Sequence, residues 1–183
     1  MSDLLLALDV GNTNTVVGLF SADELRGHWR LTTQSDRTAD EIGMWLRQLL
    51  QWEGVEPDDL RGVAVSSVVP PMDPRIREGV RRYLEQDPFF VEPGIKTGMP
   101  LRVEAPQELG ADRLCDAVAA FAEHGGPCVV IDFGTAVTWE VVSAKGEYLG
   151  GVIAPGPGIT AEALGGKTAK LPQVAMAPPP RVI

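Results

Sequence analysis

An Asp-x-Gly motif occurs twice in this chain, at 9–11 and again at 132–134. Each copy follows an apolar run, at 4–8 and at 128–131, and each is followed by further β-branched residues. Both copies therefore predict a β-hairpin, in which one strand ends in a tight turn and a second strand returns. An internal repeat of this kind predicts two half-domains that share one architecture.

The carboxylate and the glycine of each turn suit the phosphates of a nucleotide. Asp9 is placed to handle a nucleotide's Mg²⁺, directly or through water. Gly11 has no Cβ, so backbone N–H groups approach a phosphate closely, and the Asn and Thr side chains of the same turn add donors. An ordinary hairpin turn uses the same residue types, and this alternative stays open for the first copy alone. The second copy, with Asp132, Gly134 and Thr135, favours phosphate binding.

The composition limits which partners the protein can bind and where in the cell we expect it. The net charge of −9 argues against a basic surface for nucleic acid. The apolar run at 4–8 is too short for a membrane span or a signal peptide, so we expect a cytoplasmic protein. Cys115 and Cys128 lie among apolar residues, and we expect small buried side chains rather than a disulfide or a metal pair.

In the first half, apolar periodicity predicts a mixed sheet with helices against it. Strands are predicted at 3–9, 14–20, 26–33, 63–69 and 89–91. Thr38 and Glu41 have the spacing of a capping box, which opens a helix that ends at Gly54. A second helix is predicted to begin at Asp73, with Pro74 in its first turn.

In the second half, a stretch rich in Pro and Gly at 93–107 separates the two repeats. The predicted elements that follow are a helix at 107–124, the second hairpin, a strand at 148–153, a tight turn at 154–158 and a helix at 160–164. The proline run at 178–180 does not follow or end any predicted helix or strand. We therefore expect two domains, 1–106 and 107–183, with the second one truncated.

Two further clusters suit a substrate. At 110–113 the sequence Gly-Ala-Asp-Arg opens the predicted helix. Asp112 is a candidate general base for a hydroxyl, and Arg113 is a candidate for holding a carboxylate or a phosphate. From these residues alone, a solvated Asp-Arg pair on a helix surface is the favoured explanation. The glycine-rich stretch 150–156 suits a backbone that lies against a nucleotide, or a strand that ends in a turn.

The clusters occur in a fixed order along the chain. The order is Asp-Val-Gly-Asn-Thr-Asn at 9–14, Gly-Ala-Asp-Arg at 110–113, Asp-Phe-Gly-Thr-Ala at 132–136 and Gly-Gly-x-Ile-x-Pro-Gly at 150–156, with shorter stretches at 37–41, 66–70 and 96–98 between them. This ordered set closely resembles the bacterial type III pantothenate kinases over essentially the whole chain. The resemblance implies an α/β fold with two ribonuclease-H-like domains around a nucleotide cleft, as in actin-like and sugar-kinase ATPases.

The resemblance also implies an activity and a substrate. In this family ATP phosphorylates the hydroxyl of pantothenate to give 4′-phosphopantothenate, which is the first step of coenzyme A biosynthesis. Asp112 is then the expected catalytic proton acceptor. Pantothenate is expected to contact the cluster formed by Gly110, Ala111, Asp112 and Arg113. Family members are typically homodimers, so a homodimer is expected here.

The same resemblance implies how the nucleotide and its cations are held. The ATP phosphates are expected to bind along the first turn, at Asp9, Val10, Gly11, Asn12, Thr13, Asn14, Thr15 and Val16. Asp9 is expected to bind Mg²⁺, and Thr135 is expected to contact ATP. Asp132 is expected to hold a monovalent cation, K⁺ or NH₄⁺ in this family.

Two features depart from the family pattern. Val103 stands where the family commonly has a substrate-contacting Tyr, seven residues before Gly110. We expect the hydrogen bond of that Tyr to be lost or to be made by another residue. Family members also continue for several dozen residues past the equivalent of residue 183, with a further substrate-contacting Thr and helices that finish the second domain. A shortened second domain is expected to expose apolar surface.

Two other functions make different predictions. An inactive homologue that acts as a regulatory or nucleotide-binding module would bind nucleotide without turnover, although intact Asp9, Asp112 and Asp132 argue against it. An actin-like ATPase with a protein partner would hydrolyse ATP without pantothenate. The Gly-Ala-Asp-Arg cluster at 110–113 favours the kinase over that ATPase.

Overall fold

Two sheets carry the repeated hairpins, and each sheet lies in its own unit of the chain. The computed structural model describes residues 3–92, 94–167 and Ala177. The chain divides into unit 1, which comprises Met1–Lys96 and Ala105–Cys115, and unit 2, which comprises Thr97–Glu104 and Asp116–Ile183. The domain boundary after residue 106 stays a prediction, and the proline run at 178–180 lies outside the described residues.

Unit 1 is built on a five-stranded mixed sheet. Its strands are β1 (Leu4–Val10), β2 (Asn14–Ser21), β3 (Glu24–Thr32), β4 (Leu60–Ser67) and β5 (Phe89–Phe90). The strand order is β3-β2-β1-β4-β5. β1, β2 and β3 pair antiparallel through short turns, whereas β4 pairs parallel to β1 and β5 parallel to β4. Parallel neighbours need a crossover connection, and a helix precedes β4 and another precedes β5.

Those two helices are α1 (Ala39–Trp52) and α2 (Asp73–Leu84). The predicted capping box is confirmed at the start of α1: the N–H of Glu41 donates to Thr38 Oγ1 at 3.2 Å, and the Glu41 carboxylate accepts the Thr38 N–H at 2.8 Å. The backbone and hydroxyl hydrogen bonds from Thr38 lower the pKa of Glu41 below its usual value. The cap therefore fixes where the crossover helix begins.

The core of unit 1 lies between one face of the sheet and both helices. Alternate residues of β1, from Leu4 to Val10, are at most 6% exposed. They form one hydrophobic cluster with residues of β2, β4, α1 and α2. The α1 and α2 members of that cluster are Ile42, Leu46, Leu49, Leu50, Ile76, Val80 and Leu84. Burial of each large aliphatic side chain contributes about 1.5–3 kcal/mol, so this face holds the sheet and the helices together.

α1 and α2 touch through their backbones at two glycines. A Cβ on Gly79 would lie 2.6 Å from the carbonyl oxygen of Ala39, and a Cβ on Gly43 would lie 2.9 Å from the carbonyl oxygen of Gly79. Beside this contact the Tyr83 hydroxyl donates to Asp40 Oδ1 at 2.9 Å, which raises the pKa of Tyr83. The helix pair is therefore packed too closely for side chains at either glycine.

Unit 2 contains a three-stranded antiparallel sheet. Its strands are β6 (Cys128–Phe133), β7 (Ala136–Val142) and β8 (Tyr148–Pro155), in the order β6-β7-β8. The helix α3 (Ala111–His124) precedes β6, and its first five residues belong to unit 1. The helix α4 (Pro157–Lys167) follows β8. Cys115 and Cys128 are not joined in a disulfide, and both are half-buried rather than buried as expected.

Several predicted boundaries were wrong by a few residues. The helix predicted from 107 begins at Ala111, because Pro106–Glu108 forms a single 3₁₀ turn and Leu109 is extended. The turn predicted at 154–158 is shorter, since β8 runs to Pro155 and α4 begins at Pro157. The strand predicted at 63–69 spans Leu60–Ser67. No helix in the described part of the chain is long and apolar enough to cross a membrane.

One face of the sheet in unit 2 is apolar and exposed. Val129, Ile131 and Phe133 alternate along β6 and are 56%, 48% and 72% exposed, and Val152 in β8 is 61% exposed. When Asp132 is aligned with Asp9, this face corresponds to the face of β1 that the helices cover in unit 1. Among the described residues, unit 2 thus exposes apolar surface on this face of its sheet.

The contact between α1 and α2 predicts that Gly79→Ala destabilises the protein. Alanine favours a helix over glycine by about 1 kcal/mol. The new methyl group would nevertheless press on the backbone of α1, and such overpacking costs about 1–3 kcal/mol. We expect a lower midpoint of urea unfolding. Gly62→Ala is the control in the same unit, since a Cβ there meets no atom within 4 Å. An unchanged midpoint for Gly79→Ala would contradict the prediction.

Candidate functional site

The first Asp-x-Gly turn is closed by a backbone hydrogen bond at the end of β1. The Gly11 N–H donates to the carbonyl oxygen of Asn14 at 3.0 Å. A Cβ on Gly11 would lie 3.0 Å from that same oxygen, so a side chain would crowd the turn. Asp9, Asn12 and Thr13 are exposed. The turn therefore presents a carboxylate and polar side chains to solvent on a backbone that is tightly closed.

Thr33, which directly follows β3, supports this turn. Its N–H donates to the carbonyl oxygen of Thr13 at 2.9 Å, and its hydroxyl donates to the carbonyl oxygen of Gly11 at 2.7 Å. Thr33 Oγ1 also lies 2.9 Å from Thr15 Oγ1. Thr33 belongs to none of the sequence motifs that predicted the site. The only signal was its place at the end of a predicted strand that pairs with the strand leaving the turn.

Unit 1 brings the first turn and the Gly-Ala-Asp-Arg cluster to one edge of its sheet. Asp9 is paired with Ser66 in the parallel register of β1 and β4. Just beyond β4 the Val68 N–H donates to the carbonyl oxygen of Val10 at 3.0 Å. A Cβ on Gly110 would lie 3.6 Å from Val68 Cγ1. The start of α3 therefore lies beside the carboxyl ends of β1 and β4.

Asp112 is the second residue of α3 and is half-buried. Its Oδ1 accepts the Arg113 N–H at 2.7 Å. A Cβ on Gly110 would overlap that same oxygen, so only glycine at 110 leaves the carboxylate in this position. Ala111, the first residue of the helix, belongs to unit 1 and is 5% exposed. The carboxylate is therefore held at a defined place on a rigid element.

Unit 2 contains the second Asp-x-Gly turn, which is closed in the same way. The Gly134 N–H donates to the carbonyl oxygen of Ala136 at 2.9 Å. The Gly156 N–H donates to the carbonyl oxygen of Thr135 at 3.0 Å. A Cβ on Gly156 would overlap the carbonyl oxygens of both Gly134 and Thr135. The glycine-rich stretch at the end of β8 therefore lies directly against the second turn.

The structure thus places the predicted site residues in two groups. The stretch from Asp9 to Val16 and the cluster from Gly110 to Arg113 belong to unit 1, whereas Asp132 and Thr135 belong to unit 2. Val103, which stands where the resemblance leads us to expect a Tyr, also belongs to unit 2. A Cβ added to Gly150 would lie 3.7 Å from Val103 Cγ1, so the side chain of Val103 packs against β8.

The donor set fits a cation that is shared with a nucleotide. Within the described residues, no three side chains of His, Cys, Asp or Glu converge to form a metal site. Mg²⁺ in nucleotide sites is typically bound by one or two carboxylates, with phosphate oxygens and water as the other ligands. Asp9, an exposed carboxylate beside a glycine turn, has the chemistry for this arrangement. Asp132 is exposed at the equivalent position of the second turn.

Sequence comparison identifies relatives over almost the whole chain. The family model described as type III pantothenate kinase matches residues 5–183. The type III pantothenate kinase of Moorella thermoacetica is 49% identical over 180 residues, which are 98% of this chain and 71% of that protein. The type III pantothenate kinase of Koribacter versatilis is 52% identical over 190 residues, with 98% of this chain and 69% of that protein covered.

Solved structures with the same fold are much more distant in sequence. A conserved putative Baf family transcriptional activator from Campylobacter jejuni has a TM-score of 0.54 at 20% identity, over 96% of this chain and 68% of that chain. The activator of 2-hydroxyisocaproyl-CoA dehydratase from Clostridium difficile has a TM-score of 0.54 at 14% identity, over 90% of this chain and 52% of that chain. At these identities the likeness shows the fold alone. The predicted α/β fold of the actin-like ATPases is confirmed.

The contact at Gly156 predicts that Gly156→Ala loosens the second turn. A methyl group there would displace the carbonyl oxygens of Gly134 and Thr135, and the hydrogen bonds at 134–136 would weaken. We expect faster hydrogen exchange of the Gly134 amide and of the amide at position 156. Gly158→Ala is the matched control, since a Cβ at 158 meets no atom within 4 Å. Exchange as slow as in the unchanged protein would contradict the prediction.

Proposed function

The chain belongs to the type III pantothenate kinase family, and we propose that it transfers a phosphoryl group from ATP to the hydroxyl of pantothenate. The product is 4′-phosphopantothenate, in the first step of coenzyme A biosynthesis. One observation carries this proposal beyond family membership. The Asp9 turn and the Asp112 carboxylate lie at the same edge of the unit 1 sheet, where a phosphate-binding turn and a proton acceptor are both needed.

In this proposal the first turn binds the phosphates of ATP. The stretch from Asp9 to Val16 offers backbone N–H groups and the exposed side chains of Asn12 and Thr13. Asp9 would hold Mg²⁺ together with phosphate oxygens. When bound, Mg²⁺ neutralises charge on the transferring phosphoryl group. A protein with a net charge of −9 needs such local positive charge to bind a polyanion.

Asp112 orients the substrate hydroxyl and accepts its proton. Phosphoryl transfer passes through a loose transition state, so positioning contributes more than strong activation of the nucleophile. The half-buried carboxylate, held by the Arg113 N–H, supplies that positioning. Gly110 and Ala111 place the backbone close to pantothenate. Arg113 would hold the carboxylate of pantothenate, since a guanidinium binds carboxylates in two-pronged geometry.

The residues of unit 2 complete the proposal. Thr135 would contact ATP, and Asp132 would hold a monovalent cation, K⁺ or NH₄⁺. The valine at 103 has no hydroxyl, so it makes no hydrogen bond of the kind that a Tyr makes to pantothenate. We also propose that the protein acts as a homodimer in the cytoplasm.

The proposal is tested by measuring ADP release from Mg-ATP with and without pantothenate, in K⁺ and in Na⁺. We expect release that depends on pantothenate and is faster in K⁺. Asp112→Asn keeps the shape of the side chain but removes the proton acceptor, so we expect kcat to fall by about 10²-fold or more. The Kd for ATP should stay the same. Glu123→Gln, which changes a 77% exposed carboxylate in the same helix, is the matched control.

Two outcomes of that experiment would contradict the proposal. ADP release that is independent of pantothenate would instead favour an ATPase with a different partner. A kcat for Asp112→Asn equal to that of the unchanged protein would remove Asp112 from the role of proton acceptor.

The role of Asp9 predicts that Asp9→Asn uncouples ATP binding from Mg²⁺. We expect Mg²⁺ to strengthen ATP binding in the unchanged protein but not in the variant, because the carboxylate that shares the cation is gone. Calorimetric titration of ATP with Mg²⁺ and with EDTA measures this difference. Asp3→Asn is the control: Asp3 is an exposed carboxylate just before β1 that pairs with Arg61 at 2.7 Å. Equal Mg²⁺ dependence in the Asp9 variant would exclude Asp9 as a ligand.

A further inference from the structure

The hydroxyl of Thr33 is bonded to the first Asp-x-Gly turn at two points. Thr33 Oγ1 lies 2.7 Å from the carbonyl oxygen of Gly11 and 2.9 Å from Thr15 Oγ1. The backbone of Thr33 adds a third bond, from its N–H to the carbonyl oxygen of Thr13. A residue outside the turn therefore contacts three of its positions.

The direction of these hydrogen bonds follows from the number of protons. A carbonyl oxygen only accepts, so the single proton of the Thr33 hydroxyl goes to Gly11. The Thr15 hydroxyl must then donate to Thr33 Oγ1. Thr15 is 3% exposed, so solvent does not compete for this bond. The three residues form one directed chain, from Thr15 through Thr33 to Gly11.

This chain sets the orientation of the peptide group between Gly11 and Asn12. In a planar trans peptide the C=O and the N–H point in opposite directions. The Gly11 C=O points at Thr33, so the Asn12 N–H points away from it. Asn12 is exposed, whereas the Gly11 N–H is already used within the turn by Asn14. An outward backbone N–H in a tight turn is the group that binds an anionic oxygen.

We propose that Thr33 is a positioning residue for ATP: its hydroxyl holds the Gly11–Asn12 peptide so that the Asn12 N–H donates to a phosphate oxygen. This inference rests on the proposed function in one respect, since it requires ATP to bind at the first turn. It adds a residue just beyond the end of β3, which neither contacts the nucleotide nor belongs to the repeated motif.

Three variants separate the hydroxyl from the rest of the side chain. Thr33→Val has nearly the same shape but leaves Gly11 without its donor and Thr15 without its acceptor. Thr33→Ser keeps the hydroxyl and loses only a methyl group. Thr32→Val is the control for removing a threonine hydroxyl from this segment, since Thr32 is the exposed last residue of β3.

The experiment measures the Kd for Mg-ATP by calorimetry and the KM values for ATP and for pantothenate. For Thr33→Val we expect the Kd and the KM for ATP to rise about tenfold, because a peptide that turns freely no longer presents its N–H. The KM for pantothenate should change less than about twofold, because the variant alters only the turn that is proposed to bind ATP. Thr33→Ser should restore ATP binding, and Thr32→Val should match the unchanged protein. Thr33→Ala gives the same comparison if valine disturbs folding.

Several results would overturn the proposal. Unchanged ATP affinity in folded Thr33→Val or Thr33→Ala would show that the hydroxyl does not position the turn. Equal losses for ATP and pantothenate, without rescue by serine, would assign Thr33 a purely structural role. A protein that binds Mg-ATP but shows no pantothenate-dependent turnover would overturn the proposed function alone, since the Kd for ATP is measured without pantothenate. A protein that binds no ATP would overturn both.

Discussion

The parallel pairing of β1 with β4 determines where the polar groups of unit 1 gather. Two parallel strands end at the same edge of a sheet, so the carboxyl end of β1, with Asp9, lies beside the end of β4. The pairing requires a crossover, which α1 provides, and the position of α1 depends on its cap at Thr38. The chain after β4 then returns to Val10 and packs on Gly110. The turn and the start of α3 lie at the same edge of the sheet because of this one strand pair.

Close backbone contacts at glycines help each of the two sheets to keep its geometry. In unit 1, Gly79 lets α2 lie directly on the backbone of α1, so both crossover helices cover the same face of the sheet. In unit 2, Gly156 lets the end of β8 lie on the carbonyl groups of the second turn. Each contact is made by main-chain atoms, which have no rotamers to rearrange. A methyl group at either position must therefore displace backbone: that of the helix pair in unit 1, and that of the second turn in unit 2.

The sequence predicted the elements that depend on local patterns. The Asp-x-Gly turns and the capping box at Thr38 follow from residues within a few positions of one another, and the hairpins and the helix were placed correctly. The start of α3 was placed too early, because the helical pattern extends through a 3₁₀ turn that only the backbone geometry reveals. The support of Gly11 by Thr33 joins positions 22 residues apart and depends on strand register. No local pattern contains that information, so the supporting residue was missed while the turn itself was found.

The two repeats share a hairpin but are stabilised on different faces. In unit 1 the alternate residues of β1 that include Leu6 and Leu8 are buried under α1 and α2. The equivalent residues of β6, Val129 and Ile131, are about half exposed, and none of the residues of α4 is buried. The opposite face of this sheet holds the buried groups Val142, Glu140 and Tyr148, with the Tyr148 hydroxyl donating to the Glu140 carboxylate. Removal of either partner would take this buried hydrogen bond from the other. The sheet that carries Asp132 and Thr135 therefore has a polar pair among its buried groups, whereas the face of β1 that leads to the first turn is buried in an aliphatic core.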